Sequence, residues 1–255
     1  RATAHERRAI GGAVLLVELM RELVDDDVEP VVRAFRARHG VVPRQDHLPA
    51  GPRLAGQDAA VAPREPDAVR HLAVDDGAGC GIAIEAARLI ARAPRRPLRT
   101  IRVVLFANEE SGLAGGTGYA ARHAAELPKH AGAFEADSGT GAPTGFSWSA
   151  AESLGPALAA VAELLGPLGA GTLRAGGHGG ADISPMAFAG VPLFGLSQES
   201  GAYFDIHHTA DDTFDKIEPA SLDKGAAAFA AMAYAVADLP EIHARPAVPA
   251  AHGAR

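Results

Sequence analysis

The apolar and polar positions change period along the chain, and the changes mark the elements. Residues Ala9 to Val24 carry apolar positions at helical spacing, and Val28 to Arg38 repeat the pattern. Two helices are predicted there, with Asp25-Asp26-Asp27 placed to cap the second. From 41 to 74 the period is lost. Pro43, Pro49, Pro52, Pro63 and Pro66 interrupt the stretch, and loop is expected. Regularity returns at Asp75. Gly77-Ala78-Gly79 leads into a helix over Gly81 to Ala93 with Ile82, Ala86, Leu89 and Ile90 on one face. Ile101 to Ala107 is a nearly continuous, β-branched apolar run that suits a buried strand. Further helices are predicted at Gly115–Ala125, Gly155–Leu168 and Ala220–Leu239, and further strands at Ala131–Ala136 and Val191–Leu196. Alternating helices and buried strands point to an α/β sandwich. Three regions follow: an N-terminal segment 1–74 with little readable pattern, a domain over 75–239, and a Pro/Ala-rich tail 240–255 expected to fray.

Composition narrows the function. With 24 Lys+Arg against 31 Asp+Glu the formal net charge is −7, and no Lys/Arg-rich run occurs, so nucleic acid is not an expected partner. Cys80 is the single cysteine, which excludes a disulfide framework and a Cys-built zinc site within one chain. No apolar run approaches the roughly 20 residues of a membrane span. The run Ile10–Val17 after Arg7-Arg8 is too short and lacks a cleavage pattern, so it reads as part of a helix, not as a signal peptide.

Motifs for several chemistries are missing. There is no GxxxxGK[ST], no GxGxxG after a strand and no HExxH, and Gly145 to Ser149 does not fit GxSxG. What remains is a set of acids and histidines at element boundaries. Asp75-Asp76 precedes the first helix of the domain, Glu109-Glu110 follows the strand Ile101–Ala107, and Asp137 follows Ala131–Ala136. His207-His208 lies downstream of Val191–Leu196. Sites in open α/β sheets form at the carboxyl ends of strands, and Asp, Glu and His are zinc donors. Singly each has an ordinary reading: Asp75-Asp76 as a helix cap, Glu109-Glu110 as a solvated pair, Asp137 as a turn residue. Their combination is the signal.

Five segments carry a family resemblance: DDGAGCGIAIEAARLI (75–90), RTIRVVLFANEESGLAGGTGYA (99–120), EADSGTGAPTGF (135–146), GGADISP (179–185) and YFDIHHTADDTFDKI (203–217). In this order they resemble the M28 zinc peptidases. The resemblance implies a mixed, mostly parallel β-sheet flanked by helices, and two zinc ions sharing one aspartate. It implies Asp75 as the shared ligand, Glu110 and His208 as ligands of one zinc, Asp137 as a ligand of the other, and Glu109 as general base. It further implies peptide or aminoacyl substrates cleaved at the N-terminus, as by an aminopeptidase or dipeptidase. His207, Asp211 and Asp212 would support the ligands, and His178 reads as a plain loop residue. A homodimer is one of the assemblies left open.

The pattern departs from the family before Asp75. The family's first ligand belongs to an HxD sequence well upstream of the shared aspartate. Here the nearest counterpart is His71-Leu72-Ala73, four residues away and with Ala73 at the Asp position. Gly51-Pro52-Arg53-Leu54-Ala55-Gly56 resembles an N-terminal family segment, so the stretch between is short and some N-terminal strands are expected to be lacking. His71 stays a candidate ligand, because four extended residues reach about 13 Å and a turn brings the ends closer. One or two zinc ions are therefore expected. Besides an intact exopeptidase, the sequence leaves open an impaired homologue with a binding role and a one-zinc enzyme resembling glutaminyl cyclases.

Overall fold

The computed structural model describes residues 10–19, 73–110, 112–137, 139–201, 203–239 and 242. Six strands form one sheet: β1 (Ile10–Leu19), β2 (Thr100–Ala107), β3 (Ala133–Ala136), β4 (Pro143–Ser149), β5 (Thr172–Ala175) and β6 (Leu193–Gln198). Their order across the sheet is β2-β1-β3-β6-β4-β5. Among the described residues five α-helices accompany them: α1 (Ala78–Ala91), α2 (Ala114–Arg122), α3 (Gly155–Leu165), α4 (Tyr203–Ile206) and α5 (Pro219–Asp238). Among the described residues no helix is long and apolar enough to cross a membrane.

The first expectation to be corrected is the N-terminal helix. Ile10–Leu19 is a strand, paired antiparallel with β2 on one side and β3 on the other. Its run of apolar residues after Gly11-Gly12 supports either element, and two waiting strand edges decide for the strand. The N-terminal segment thus contributes a strand to the sheet. The helix expected at 28–38, the loop to residue 72 and the tail beyond 242 lie outside the described residues.

The sheet is mixed and helix-flanked as expected, with β3–β6 and β4–β5 parallel and β1–β2, β1–β3 and β4–β6 antiparallel. Every antiparallel pairing involves β1 or β4, and of the strands whose sequences announce them β3 and β6 pair in parallel while β2 pairs antiparallel with β1.

Alternation along the strands divides the core into two layers. Phe134, Phe146 and Phe194 join Ile82 of α1, Leu158 of α3 and Phe229 of α5 on one face. Phe134 stacks on Phe194 with ring centroids 4.5 Å apart, and Phe229 meets Phe134 edge-on at 6.0 Å. Ala133 and Leu193 point the other way, into a smaller cluster with Phe106, Ile183 and Met186. Helix α5 is buried from Gly225 to Asp238, which its alanine-rich composition permits. Pro219 at its first turn and Glu218, accepting from the Ser221 N–H at 2.6 Å, start it one residue earlier than the apolar pattern suggests. At its end Arg99 donates to the carbonyls of Ala237 and Leu239, satisfying groups a helix leaves open.

Candidate metal centre

Because β1 runs antiparallel to both β2 and β3, those two strands point the same way, and β6 is parallel to β3. The carboxyl ends of β2, β3 and β6 therefore open on one edge. Glu109 and Glu110 follow β2, Asp137 follows β3, and the segment bearing His207 and His208 follows β6 through α4. Asn108 turns the chain out of β2 with φ of 66°, a conformation that asparagine tolerates well. The Glu109 carbonyl then accepts from Gly112 and Leu113 at 3.1 and 3.0 Å, which fixes the acidic pair in a tight turn.

The fourth element is the approach to α1. Asp76 accepts from the Gly79 N–H at 3.0 Å in the first turn. Of the Asp75-Asp76 pair, Asp76 therefore does the work of a helix cap, and Asp75 is free to face the edge. A Cβ on Gly79 would lie 1.9 Å from the Ala136 carbonyl oxygen, so only glycine allows α1 to start this close to the end of β3. Buried Asp212 accepts from the Val74 and Asp75 N–H groups at 2.6 and 3.0 Å, tying the backbone under Asp75 to the loop that carries His208.

These constraints bring Asp75, Glu110 and His208 together, with a donor atom from each within 4.8 Å of the others. His208 Nε2 stands 2.9 Å from Glu110 Oε1 and 3.2 Å from Asp75 Oδ2. Asp75 is buried, whereas Glu110 and His208 open to solvent. His71 lies outside the described residues. Asp137 is not in the cluster but is within electrostatic reach of Asp75 and Glu109.

The electrostatics are those of a site short of positive charge. Burial, then the Glu110 carboxylate, holds the Asp75 carboxyl above its ordinary range. Glu109 is raised for the same reasons, with Asp75 adding to the effect. Burial and the neighbouring acids Glu135, Asp75 and Glu109 push Asp137 up to about 8. His208 is raised by its hydrogen bond to Glu110. Acids crowded in this way are relieved by a cation, and two carboxylates with one imidazole make a hard-to-borderline donor set that fits zinc. The one cysteine is no competitor as a nucleophile, since burial and nearby acids push the Cys80 thiol up to about 12.

Three residues that the motifs did not single out belong to the surroundings. Tyr203 donates to the Asp137 carbonyl at 3.5 Å, and its ring stacks on His207 at 4.9 Å. It sits against Gly139, where φ is +88° and a Cβ would come within 2.7 Å of the ring. Glu135 is buried in β3 and accepts from the Ala181 and Ile183 N–H groups, and Asp182 is buried beside it. An acid inside the short apolar strand AFEA was the available signal for Glu135. Of the supporting candidates, Asp212 holds the Asp75 backbone and His207 stacks beneath Tyr203, while Asp211 stays in its own exposed turn.

The mixed α/β sheet thus carries at its strand ends a carboxylate–imidazole cluster that could hold a metal ion. The model of peptidase family M28 matches residues 46–233, and the chain belongs to that family. Mouse carboxypeptidase Q is 37% identical over 170 residues, covering 67% of this chain and 36% of its own length. Human carboxypeptidase Q is 35% identical over the same extent. The solved structure of a peptidase M28 precursor from Shewanella amazonensis superposes with a TM-score of 0.64 at 38% identity, covering 70% of this chain and 40% of that one. The chain thus spans little more than a third of the length of the curated relatives it matches.

Proposed function

We propose that the chain is a zinc-dependent exopeptidase acting on the N-terminal end of peptides, as an aminopeptidase or dipeptidase. The observation that carries this is the Asp75–Glu110–His208 cluster, in a chain of the M28 peptidase family. Those three residues would hold the zinc ion. Bound there, zinc supplies Lewis acidity, which lowers the pKa of a water and polarises a carbonyl. Glu109 is the general base. Burial and its acidic neighbours hold its carboxyl above the ordinary range, so it has proton affinity to take a proton from water and deliver it to the departing amine. Asp212 keeps Asp75 oriented through its backbone, and Glu110 orients His208 through the shared hydrogen bond.

Three donors suffice for one ion, and Asp137 stands apart from them, which favours a one-metal centre. That same feature favours the second reading, a homologue with weakened hydrolysis, since Ala73 takes the place of the family's orienting Asp. The test is metal analysis after zinc loading and desalting, with hydrolysis of aminoacyl and dipeptide substrates measured on the same sample. One zinc with turnover supports the exopeptidase, one zinc without turnover supports the impaired homologue, and no retained zinc overturns both.

A further inference from the structure

On the large-core face the helices stop one strand short of the sheet edge. α3 packs on β5 and on α5, α5 packs on β4, β6 and α1, and α1 lies over β1 and its two neighbours, β2 and β3. Among the described residues no further helix packs on this face of β2, the edge strand. Alternation along β2 puts Ile101, Val103 and Leu105 on this face. Val104 and Phe106 take the other, where Tyr119 and Ala120 of α2 cover them. Ile101 is buried and Val103 packs against the core, but Leu105 is 50% exposed. Leu98, just before the start of β2, is 45% exposed. An apolar strip is left beside α1.

The stretch of chain outside the described residues begins next to this strip. Leu19, the last residue of β1, pairs with Thr100, the first of β2. The chain is described again from Ala73, and Gly79 lies against the Ala136 carbonyl at the opposite end of the sheet. Residues 20–72 therefore connect one end of β2 to the other, about 27 Å for a strand of that length. With α2 on the second face, the route over Leu105 is the open one.

The sequence of that stretch supplies an element that fits. Val28, Val31, Val32 and Phe35 stand at i, i+3, i+4 and i+7, so a helix over 28–38 carries one apolar stripe, with Arg33 and Ala37 on the opposite side. Pro30 falls in its first turn after Asp27, where a missing N–H breaks no helical bond. The link 20–27 reaches as far as about 27 Å, and the helix is about 16 Å long, enough to lie along β2 past Leu105. Residues 39–72 are ample for the return to Ala73.

We propose that residues 28–38 form a helix that seats Val28, Val31, Val32 and Phe35 on Leu105 beside α1. The chain thereby covers the bare edge of its own sheet. A short tether holds this helix at an effective concentration of about millimolar, which a second copy of the chain matches only at millimolar protein. β2 ends in Glu109 and Glu110, so the docked helix also clamps the strand that delivers the acid pair.

Two measurements on the full chain test this. The first is disulfide trapping in a Cys80→Ala background, where every thiol is an introduced one. Leu105→Cys is paired in turn with Val32→Cys, Phe35→Cys, Arg33→Cys and Ala37→Cys. A disulfide within one chain is expected to form at least about tenfold faster from position 32 or 35 than from 33 or 37. Equal rates from both sides of the helix overturn the proposal, and disulfides that join two chains overturn it in favour of a second copy. The second needs no cysteine variant to fold. Tryptic cleavage after Arg33, Arg36 and Arg38 is expected to be at least about tenfold slower in the wild-type chain than in a synthetic peptide of residues 25–40. Leu105→Asp is expected to remove most of that protection, and Phe188→Asp, at another exposed apolar position, to leave it intact. Cleavage of the wild-type chain at the peptide's rate, or protection unchanged in Leu105→Asp, overturns the proposal.

Discussion

Asp182 offers a quantitative test of how this site is held. It is fully buried, and neither carboxylate oxygen has a hydrogen-bond partner among the described residues. Burial, followed by the nearby Glu135 and Glu109 carboxylates, pushes its carboxyl up from 3.8 to about 8. The folded chain then keeps a proton that the unfolded chain releases near pH 4. A raised acid leaves stability unaffected below the unfolded pKa, and lowers it as pH rises toward the folded value. At 1.36 kcal/mol per unit, the Asp182 contribution between pH 5 and pH 7.5 amounts to about 3 kcal/mol of lost stability. Asp182→Asn keeps the shape and removes the ionisation. Urea unfolding of the chelator-treated protein at the two pH values should show the wild type losing about 3 kcal/mol more than the variant on going to pH 7.5. The difference reports Asp182 together with its coupling to Glu135 and Asp137. An identical pH dependence for wild type and Asp182→Asn would refute the argument.

Further outcomes follow from the same geometry. Glu109→Gln should lower turnover on an aminoacyl substrate by at least about 10²-fold while leaving zinc content unchanged in metal analysis. His208→Ala removes the residue shared by both short contacts of the cluster and should lower zinc affinity, read by competition with a chromogenic chelator. Gly180→Ala drives a methyl into the Glu135 carboxylate and should destabilise the fold by about 1–3 kcal/mol in thermal or urea unfolding.

Four of the five described helices are legible from their apolar spacing and the punctuation at their ends, as with Gly77 before α1 and Pro219 before α5, whereas the four-residue α4 is not. β2, β3 and β6 were legible because strands covered on both faces are continuous apolar runs. β1 has a similar run, yet ten residues of mixed apolar sequence fit either period, and only the adjacent edges of β2 and β3 select the strand. β4 reads PTGFSWS, with small and polar residues facing the glycine-rich run 176–180, and β5 is four residues at the sheet edge with only Leu173 packed inward. Neither has enough buried surface on its own to leave a pattern. Their pairing is a property of the sheet.

The same limit applies to the ligands. Asp75, Glu110, Asp137 and His208 look equivalent as a sequence pattern, each at the end of an element. Strand order distinguishes them. β1 lies between β2 and β3, so the acids that follow those two strands start two interstrand steps apart, roughly 10 Å. A side chain from the end of β2 can meet Asp75 and His208 without meeting Asp137, and the cluster closes on Glu110 alone. Asp137 is left facing the cavity that runs under β6 and β4 toward Arg174. Tyr203 donates to the Asp137 carbonyl and lines the same cavity wall. Which acid meets His208 and which faces the cavity is thus set by which strand occupies the slot between β2 and β3, a long-range choice absent from any single motif.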